Sequence, residues 1–289
     1  MRLRPWSARN GQTAPWAQEQ PLRAELFSGD QLEQHAKALA GWHELEKHRG
    51  ADRLLPRLDE NEQVLLRCYE LVSTAVDQER RIAPAGEWLL DNFYLIEEQI
   101  RTARKHLPRG YSRELPRLVN GPQASYPRAY DIALELISHI DGRVDAESLS
   151  NFVAAYQTVQ TLRLGELWAV PIMLRLALIE NLRRVAARIA SSRLEHDRAD
   201  QWADRLTEVA EKDPKSLVLV LADMVRDNPP LTSAFVAEMA RRLQGQSPSL
   251  ALIMSWIEQR LAENGSTVVQ MVQIESQNQA ADQVSVGNS

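Results

Sequence analysis

The stretch over residues 87–118, "EWLLDNFYLIEEQIRTARKHLPRGYSRELPRL", decides the fold class, because a helical pattern runs directly into a proline-rich loop. At about 100° per residue, its apolar side chains share one side of a helix. These side chains are Leu89, Phe93, Ile96, Ile100 and Ala103. Three acidic residues fall on the opposite, solvated side, namely Glu87, Asp91 and Glu98. The pattern predicts one amphipathic helix over residues 84–106.

Two amides of this helix, Asn92 and Gln99, stack beside the apolar stripe and are flanked by apolar surface on both sides. Such amides must find hydrogen-bond partners, and the loop over residues 107–126 carries backbone groups that need them. Glu97 borders the other edge of the stripe. Arg175 stands in an otherwise apolar helix, where an unpaired guanidinium would be strongly destabilising. We therefore predict a structural polar seam, in which Asn92 and Gln99 hold loop backbone and Glu97 pairs with Arg175.

The loop over residues 107–126 has a second interpretation. A segment of this length without regular structure is uncommon in a compact domain and is typical of functional or disordered regions. Arginines suit diphosphates and aromatic faces suit sugars, so the loop could bind a nucleotide-sugar or a glucan. The candidate binding residues are Arg109, Tyr111, Arg113, Tyr126 and Arg128. The same residue types also pack loops against domains, so both interpretations stand.

The rest of the chain also favours helices, because no stretch alternates β-branched residues with a period of two. Short joins between the periodic segments indicate antiparallel neighbours. We expect an all-α fold, a multi-helix bundle of about ten or eleven mostly antiparallel helices with no sheet. The predicted helices cover residues 30–48, 59–79, 84–106, 127–140, 145–160, 164–192, 197–212, 214–227, 231–243, 248–263 and 267–284.

Composition also predicts how the chain is organised. Residues 1–21 are rich in Pro, Gln, Arg and Gly and are predicted to be a disordered arm. Residues 22–265 are predicted to form a helical domain, followed by a polar helix over 266–289. Within the domain, Asp59-x-x-Glu62 has the pattern of a capping box and predicts that a helix begins there.

Bulk properties narrow the function. The chain has 289 residues, 44% of them hydrophobic and 25% charged, with a net charge of -5. These values are typical of a soluble globular protein and do not favour nucleic-acid binding, which usually needs a basic surface. The most apolar window, residues 167–179, is too short to span a bilayer. The single cysteine, Cys68, lies in an apolar helical pattern and is predicted to be a core residue.

Local motifs for catalysis are missing from the sequence. The six histidines form no His-Glu-x-x-His, and one cysteine cannot build a thiolate zinc cluster. His139 and Asp141 are two residues apart on a helix, so they point in different directions. The sequence has no glycine-rich phosphate loop, no Gly-x-Ser-x-Gly elbow and no Asp-x-Asp pair. We expect no catalytic residue, no metal and no cofactor in this chain.

Five long stretches together resemble the N-terminal cytosolic region of bacterial cyclic β-1,2-glucan synthases. They are "LLPRLDENEQVL" (54–65), "EWLLDNFYLIEEQIRTARKHLPRGYSRELPRLVNGP" (87–122), "YPRAYDIALELISHIDGRVDAESLSNFVAAYQTVQ" (126–160), "LRLGELWAVPIMLRLALIENLRRVAARIA" (162–190) and "NPPLTSAFVAEMARRLQGQSPSL" (228–250). The similarity runs from about residue 22 to the last residue. Each block is long and therefore more specific than a short motif.

The resemblance implies a part in glucan biosynthesis. Members of that family are longer inner-membrane proteins, in which a glycosyltransferase domain uses UDP-glucose. It implies that this chain is a non-catalytic accessory or regulatory module on the cytoplasmic side of the inner membrane, with the remaining domains of the synthase as partners. The alternative is direct UDP-glucose or glucan contact at the loop 107–126. The final run "ESQNQAADQVSVGNS" carries no stop signal, so we expect a fragment or truncated reading frame.

Overall fold

The computed structural model describes residues 19–22, 25–46 and 50–289. Within these residues the chain forms eleven α-helices and no strand, which confirms the predicted all-α class. The helices are α1 (Gly29–Trp42), α2 (Leu54–Asp77), α3 (Pro84–Asp91), α4 (Phe93–His106), α5 (Arg128–His139), α6 (Ala146–Gln157), α7 (Leu164–Lys212), α8 (Leu217–Asp227), α9 (Ser233–Leu243), α10 (Ala251–Ala262) and α11 (Val268–Asn288). Most of the predicted arm, residues 1–18, lies outside the described residues.

The described residues fall into two compact units. One comprises residues 19–188 and 282–289, and the other comprises residues 189–281. The boundaries predicted from the sequence, at 22–265 and 266–289, do not coincide with this division. None of the helices in the described ranges is long and apolar enough to cross a membrane.

The first unit is built around helices α1 to α6 and the first part of α7. A capping box at Ser28 starts α1, because the Ser28 hydroxyl accepts from the Gln31 backbone and the Gln31 side chain accepts from the Ser28 N–H. Helix α1 packs along α6, and α2 packs against α3 and α4. Large side chains fill the core, among them Leu65, Leu89, Leu136, Phe152 and Tyr156. Full burial of each such side chain contributes about 1.5–3 kcal/mol.

Helix α2 begins at Leu54, five residues before the predicted start, so the predicted capping box is wrong. Leu54 and Leu58 are each only 1% exposed, and burial of these two leucines extends the helix upstream. Asp59 and Glu62 serve another purpose. Their carboxylates accept hydrogen bonds from Arg104 of α4, each at 2.7 Å, and tie the two helices together on the surface.

The predicted helix over residues 84–106 is interrupted at Asn92. The Asn92 backbone departs from helical geometry, with φ -109° and ψ 8°, and its side-chain amide donates to the Trp88 carbonyl at 2.9 Å. Side-chain amides compete with the backbone ladder in this way and commonly end helices. The predicted apolar stripe is nevertheless confirmed, because all five of its residues are buried.

The two helices predicted over residues 164–192 and 197–212 form the single helix α7, which is 49 residues long. The residues between them contain no glycine or proline that would stop a helix. Arg193 pairs with Asp197 one turn later at 2.6 Å, across the expected break. Residues 164–188 of α7 belong to the first unit and residues 189–212 to the second.

The second unit has its own apolar core, contributed by α7 to α10. Its fully buried members include Ala203, Leu206, Met224, Phe235, Met239, Ile253 and Ile257. Asn228 ends α8 in the left-handed region, with φ 45°, and two prolines follow it, as is typical beyond a helix C-terminus. The Thr232 hydroxyl then caps α9 by accepting from the Phe235 N–H.

Candidate functional site

The segment 107–127 is held against the rest of the first unit by backbone hydrogen bonds. The Glu46 N–H donates to the Arg117 carbonyl at 2.8 Å, and the Val119 N–H donates to the Glu44 carbonyl at 2.9 Å. Asn120 adds a bond from its side-chain amide to the Trp42 carbonyl at 2.7 Å. An irregular segment must satisfy its backbone polar groups. Here the end of α1 and the residues directly after it supply the hydrogen-bond partners of the segment.

Asp52 is the side chain that anchors the start of this segment. Its carboxylate accepts from the Ser112 hydroxyl at 2.7 Å and from the Gly110 N–H at 3.1 Å. Burial raises the pKa of Asp52, but hydrogen bonds from Ser112, Gly110 and the first backbone N–H groups of α2 outweigh burial, so its pKa is lowered. The carboxylate therefore stays charged and joins the loop to the beginning of α2.

The predicted polar seam takes a different form in the structure. Asn92 bonds to Trp88 of its own helix, and the Gln99 side chain is exposed on α4. Glu97 is also exposed, and in the described part of the chain no ion pair joins it to the half-buried Arg175. The predicted pairing of Glu97 with Arg175 is wrong. Glu97 lies on the exposed side of α4, and the packing of α4 and α7 does not bring its carboxylate to Arg175.

Arg128 is at the centre of one buried network. It is 2% exposed and forms a bidentate pair with Glu166, through Nε at 2.6 Å and Nη2 at 2.8 Å. Its Nη1 donates to Gln160 at 3.0 Å, and its Nη2 also reaches the Thr161 carbonyl. All three guanidinium nitrogens thus have protein acceptors. This geometry fixes the start of α5 to the start of α7.

A histidine bridges the same region. His43 lies between Tyr156 and Asp131, with 2.8 Å from Nδ1 to the Tyr156 hydroxyl and 2.8 Å from Nε2 to the Asp131 carboxylate. Such a row can move a proton in an enzyme. Here all three groups are buried, and burial raises the pKa of Tyr156 to about 12. The arrangement can hold α1, α5 and α6 together, but it has no surface at which a substrate could react.

A second network surrounds Glu180 of α7, which is 1% exposed. Its carboxylate accepts from Arg57 at 2.7 and 2.9 Å, from Arg183 at 2.7 Å and from Arg184 at 2.8 Å. Asn61 adds a fifth bond at 2.9 Å. Burial raises the pKa of Glu180, but the hydrogen bond from Arg57 and the charges of Arg183, Arg57 and Arg184 outweigh it, and the pKa is lowered.

The other candidate binding residues do not share one partner. Arg109 and Arg113 are exposed. The Tyr111 hydroxyl donates to the Gly165 carbonyl at 3.4 Å, while the half-buried Tyr126 ring lies 5.7 Å from the Tyr130 ring. Binding of a sugar or nucleotide by these residues stays a prediction.

Sequence reasoning missed Asp52, Glu166 and Glu180. Glu180 did carry a signal, because it stands in an apolar helix with Arg183 and Arg184 at the i+3 and i+4 positions. Asp52 lies 60 residues from Ser112, and Glu166 lies 38 residues from Arg128, so no local spacing indicated either contact. Cys68 is buried as predicted, and burial raises the pKa of its thiol to about 12.

The fold and these contacts define an all-helical protein segment held together by buried arginine–carboxylate networks. No family model matches the chain. The chain is 33% identical over 280 residues to "Cyclic beta-(1,2)-glucan synthase NdvB" of Rhizobium meliloti (strain 1021). The match covers 92% of this chain and 9% of that protein. The resemblance to cyclic β-1,2-glucan synthases is therefore confirmed, for a region that spans about a tenth of the relative's length.

Proposed function

We propose that this chain is a non-catalytic helical accessory or regulatory module of a membrane-bound cyclic β-1,2-glucan synthase. In this proposal other domains of the synthase make the glucan from UDP-glucose, and the module contacts those domains on the cytoplasmic side of the bacterial inner membrane. The observation that carries the proposal is the similarity over 92% of this chain to a region that is only 9% of a glucan synthase.

The buried networks support a structural role. Arg128 and Arg183 are each 2% exposed, and their carboxylate partners Glu166 and Glu180 are each 1% exposed. A ligand could use these groups only by breaking bonds between desolvated charges, which would be strongly unfavourable. These groups instead hold the helices of the module in fixed positions, as a docking surface requires.

A deletion in a full-length synthase tests the proposal. We expect removal of the region equivalent to residues 22–265 to abolish glucan in membranes, while the transferase is still inserted in the membrane fraction. Supplying this chain as a separate polypeptide is the matched control, and it should restore part of the product if the module acts by protein–protein contact. Undiminished glucan after the deletion would contradict the proposal.

A second candidate function is binding of a nucleotide-sugar or glucan at the loop 107–126. The observation in its favour is that Arg109 and Arg113 are exposed on one short segment around the half-buried Tyr111. The test is a thermal shift of the purified chain with UDP-glucose. Stabilisation that is lost in Arg109→Ala/Arg113→Ala and retained in Arg143→Ala, another exposed arginine, would favour this function.

A further inference from the structure

Three potential metal ligands converge between α1 and α5. His35 lies on α1, and Glu135 and His139 lie one turn apart on α5. Nε2 of His35 is 2.9 Å from Oε2 of Glu135, and Nε2 of His139 is 3.7 Å from the same oxygen. One ligand atom from each residue lies within 4.8 Å of the other two. None of the contacts described above for the candidate site involves these three side chains.

The orientation of His139 is set by a backbone partner. Its Nδ1 lies 2.7 Å from the Glu25 carbonyl oxygen, which can only accept a hydrogen bond. Nδ1 therefore carries a proton, and Nε2, which faces Glu135, is the ring nitrogen that a metal ion could bind. The Phe27 ring stacks on the His139 imidazole, with 3.8 Å between the ring centroids and an angle of 7° between the ring planes. This stacking restricts rotation of the imidazole. A carbonyl bound to the second ring nitrogen is the usual support of a metal-ligating histidine.

The spacing of the ligand atoms suits a small divalent ion. A tetrahedral ion with bonds of about 2.0 Å needs ligand atoms about 3.3 Å apart. The separations of 2.9 and 3.7 Å to Glu135 lie on either side of that value, and the ligand atoms of His35 and His139 lie within 4.8 Å of each other. Binding therefore needs rotations of side chains that are 26%, 34% and 10% exposed.

Water can reach this cluster. A groove of about 480 Å³ runs beside it and is lined by Phe27, Asp30, Gln31, Gln34, His35 and Ala38. An ion at the cluster could thus complete its coordination with solvent, as ions with three protein ligands do. Two imidazoles favour a transition metal over Mg²⁺ or Ca²⁺, which prefer oxygen ligands.

We propose that His35, Glu135 and His139 bind one divalent transition-metal ion, Zn²⁺ by preference, with water in the remaining position. The ion takes the place of the proton between His35 and Glu135, and that proton passes to Nδ1 of His35 or to solvent. Bound metal links α1 to α5 and, through Glu25 and Phe27, to the segment before α1. Local motifs could not predict this site, because His35 and Glu135 are 100 residues apart.

Calorimetric titration of the tag-free, chelator-stripped 289-residue chain with ZnCl₂ tests the proposal. We expect one ion per chain and a rise in Tm on binding. Loss of an outer partner commonly weakens metal binding about 10- to 100-fold, so loss of a ligand should weaken it by at least about 100-fold. His35→Ala and His139→Ala should show this loss. His106→Ala, which removes an exposed histidine at the end of α4, should bind as the parent does.

Glu135→Gln keeps the shape of the side chain and guards against variants that fail to fold, which circular dichroism would reveal. Weakened binding in this folded variant supports the site. Co²⁺ supplies a second readout, because a four-coordinate site gives visible d–d absorption that should vanish in Glu135→Gln. Absence of stoichiometric Zn²⁺ binding, or binding that is equal in the parent and in folded Glu135→Gln and His139→Ala, would overturn the proposal.

Discussion

Replacing Glu180 by Gln tests whether its buried network stabilises the first unit. The amide keeps the size of the side chain but removes the buried charge that accepts hydrogen bonds from Arg57, Arg183 and Arg184 at 2.7–2.9 Å. Among the described residues, Arg183, which is 2% exposed, then keeps Glu19 as its charged partner, and the Glu19 side chain is 40% exposed. The variant therefore leaves a buried guanidinium whose remaining partner is partly screened by solvent.

The expected loss follows from the burial of both partners. Breaking a buried ion pair by removing one partner costs about 3–5 kcal/mol. In a unit of this size, 1 kcal/mol corresponds to roughly 2–4 °C in Tm. Glu180→Gln should therefore lower the Tm of the first unit by roughly 6–20 °C.

The effect should also depend on pH. The pKa of Glu180 is lowered in the folded state, so its contribution is fully present above the ordinary value of 4.5 and is lost as pH falls through the folded pKa. The difference between parent and variant should be constant from about pH 6 to 8. It should shrink as the pH falls below 4.5, because the unfolded parent chain then takes up a proton on Glu180 while the folded chain, with its lowered pKa, keeps the charge.

Differential scanning calorimetry across this pH range measures both effects. Glu60→Gln is the matched control, because Glu60 also pairs with Arg57, at 3.3 Å, but its side chain is 65% exposed. The control should change stability by less than about 1 kcal/mol. Equal Tm values for Glu180→Gln and Glu60→Gln, or a Glu180→Gln effect that grows in acid, would refute the argument.

Three further predictions concern the same unit. Arg128→Met should lower the unfolding free energy of the first unit by about 3–5 kcal/mol in urea unfolding, because the Glu166 carboxylate is left buried without its cation. The added change Glu166→Leu should recover part of this loss, and no recovery would contradict the pairing. Asp52→Asn should speed tryptic cleavage within residues 107–126, since it weakens the bonds to Ser112 and Gly110, and an unchanged cleavage rate would count against this anchor. Cys68, whose pKa is raised to about 12 by burial, should resist iodoacetamide at neutral pH until urea is added; rapid alkylation of the native chain would show that the thiol is accessible.

The sequence predicted the helices and the core stripe well, because both depend on short-range periodicity. The five stripe residues of residues 84–106 are buried, and Cys68 lies in the core. The prediction that Asn92 and Gln99 hold the backbone of the long loop did not locate the polar contacts that the structure shows there. Asp52 instead accepts from Ser112 of the loop, and Asn120 of the loop donates to Trp42 of α1, because packing decides which segments approach the loop.

Helix ends were predicted less well, for identifiable physical reasons. Asp59 has the pattern of a cap, but burial of Leu54 outweighs that local preference and starts α2 earlier. Asn92 ends α3 through its own side chain, although the helical periodicity continues past it. Competing local and tertiary terms of about 1 kcal/mol each decide such boundaries.

By itself the sequence determined the all-α class and the similarity to a glucan synthase region, because helical periodicity and residue identity can be read without knowledge of tertiary contacts. Only the tertiary structure decided which charges meet. Glu180 with Arg57, Glu166 with Arg128 and Glu135 with His35 are 123, 38 and 100 residues apart. Ion pairs are selected by the packing of whole helices, since apolar burial brings those helices together and charged groups inside them must then find partners.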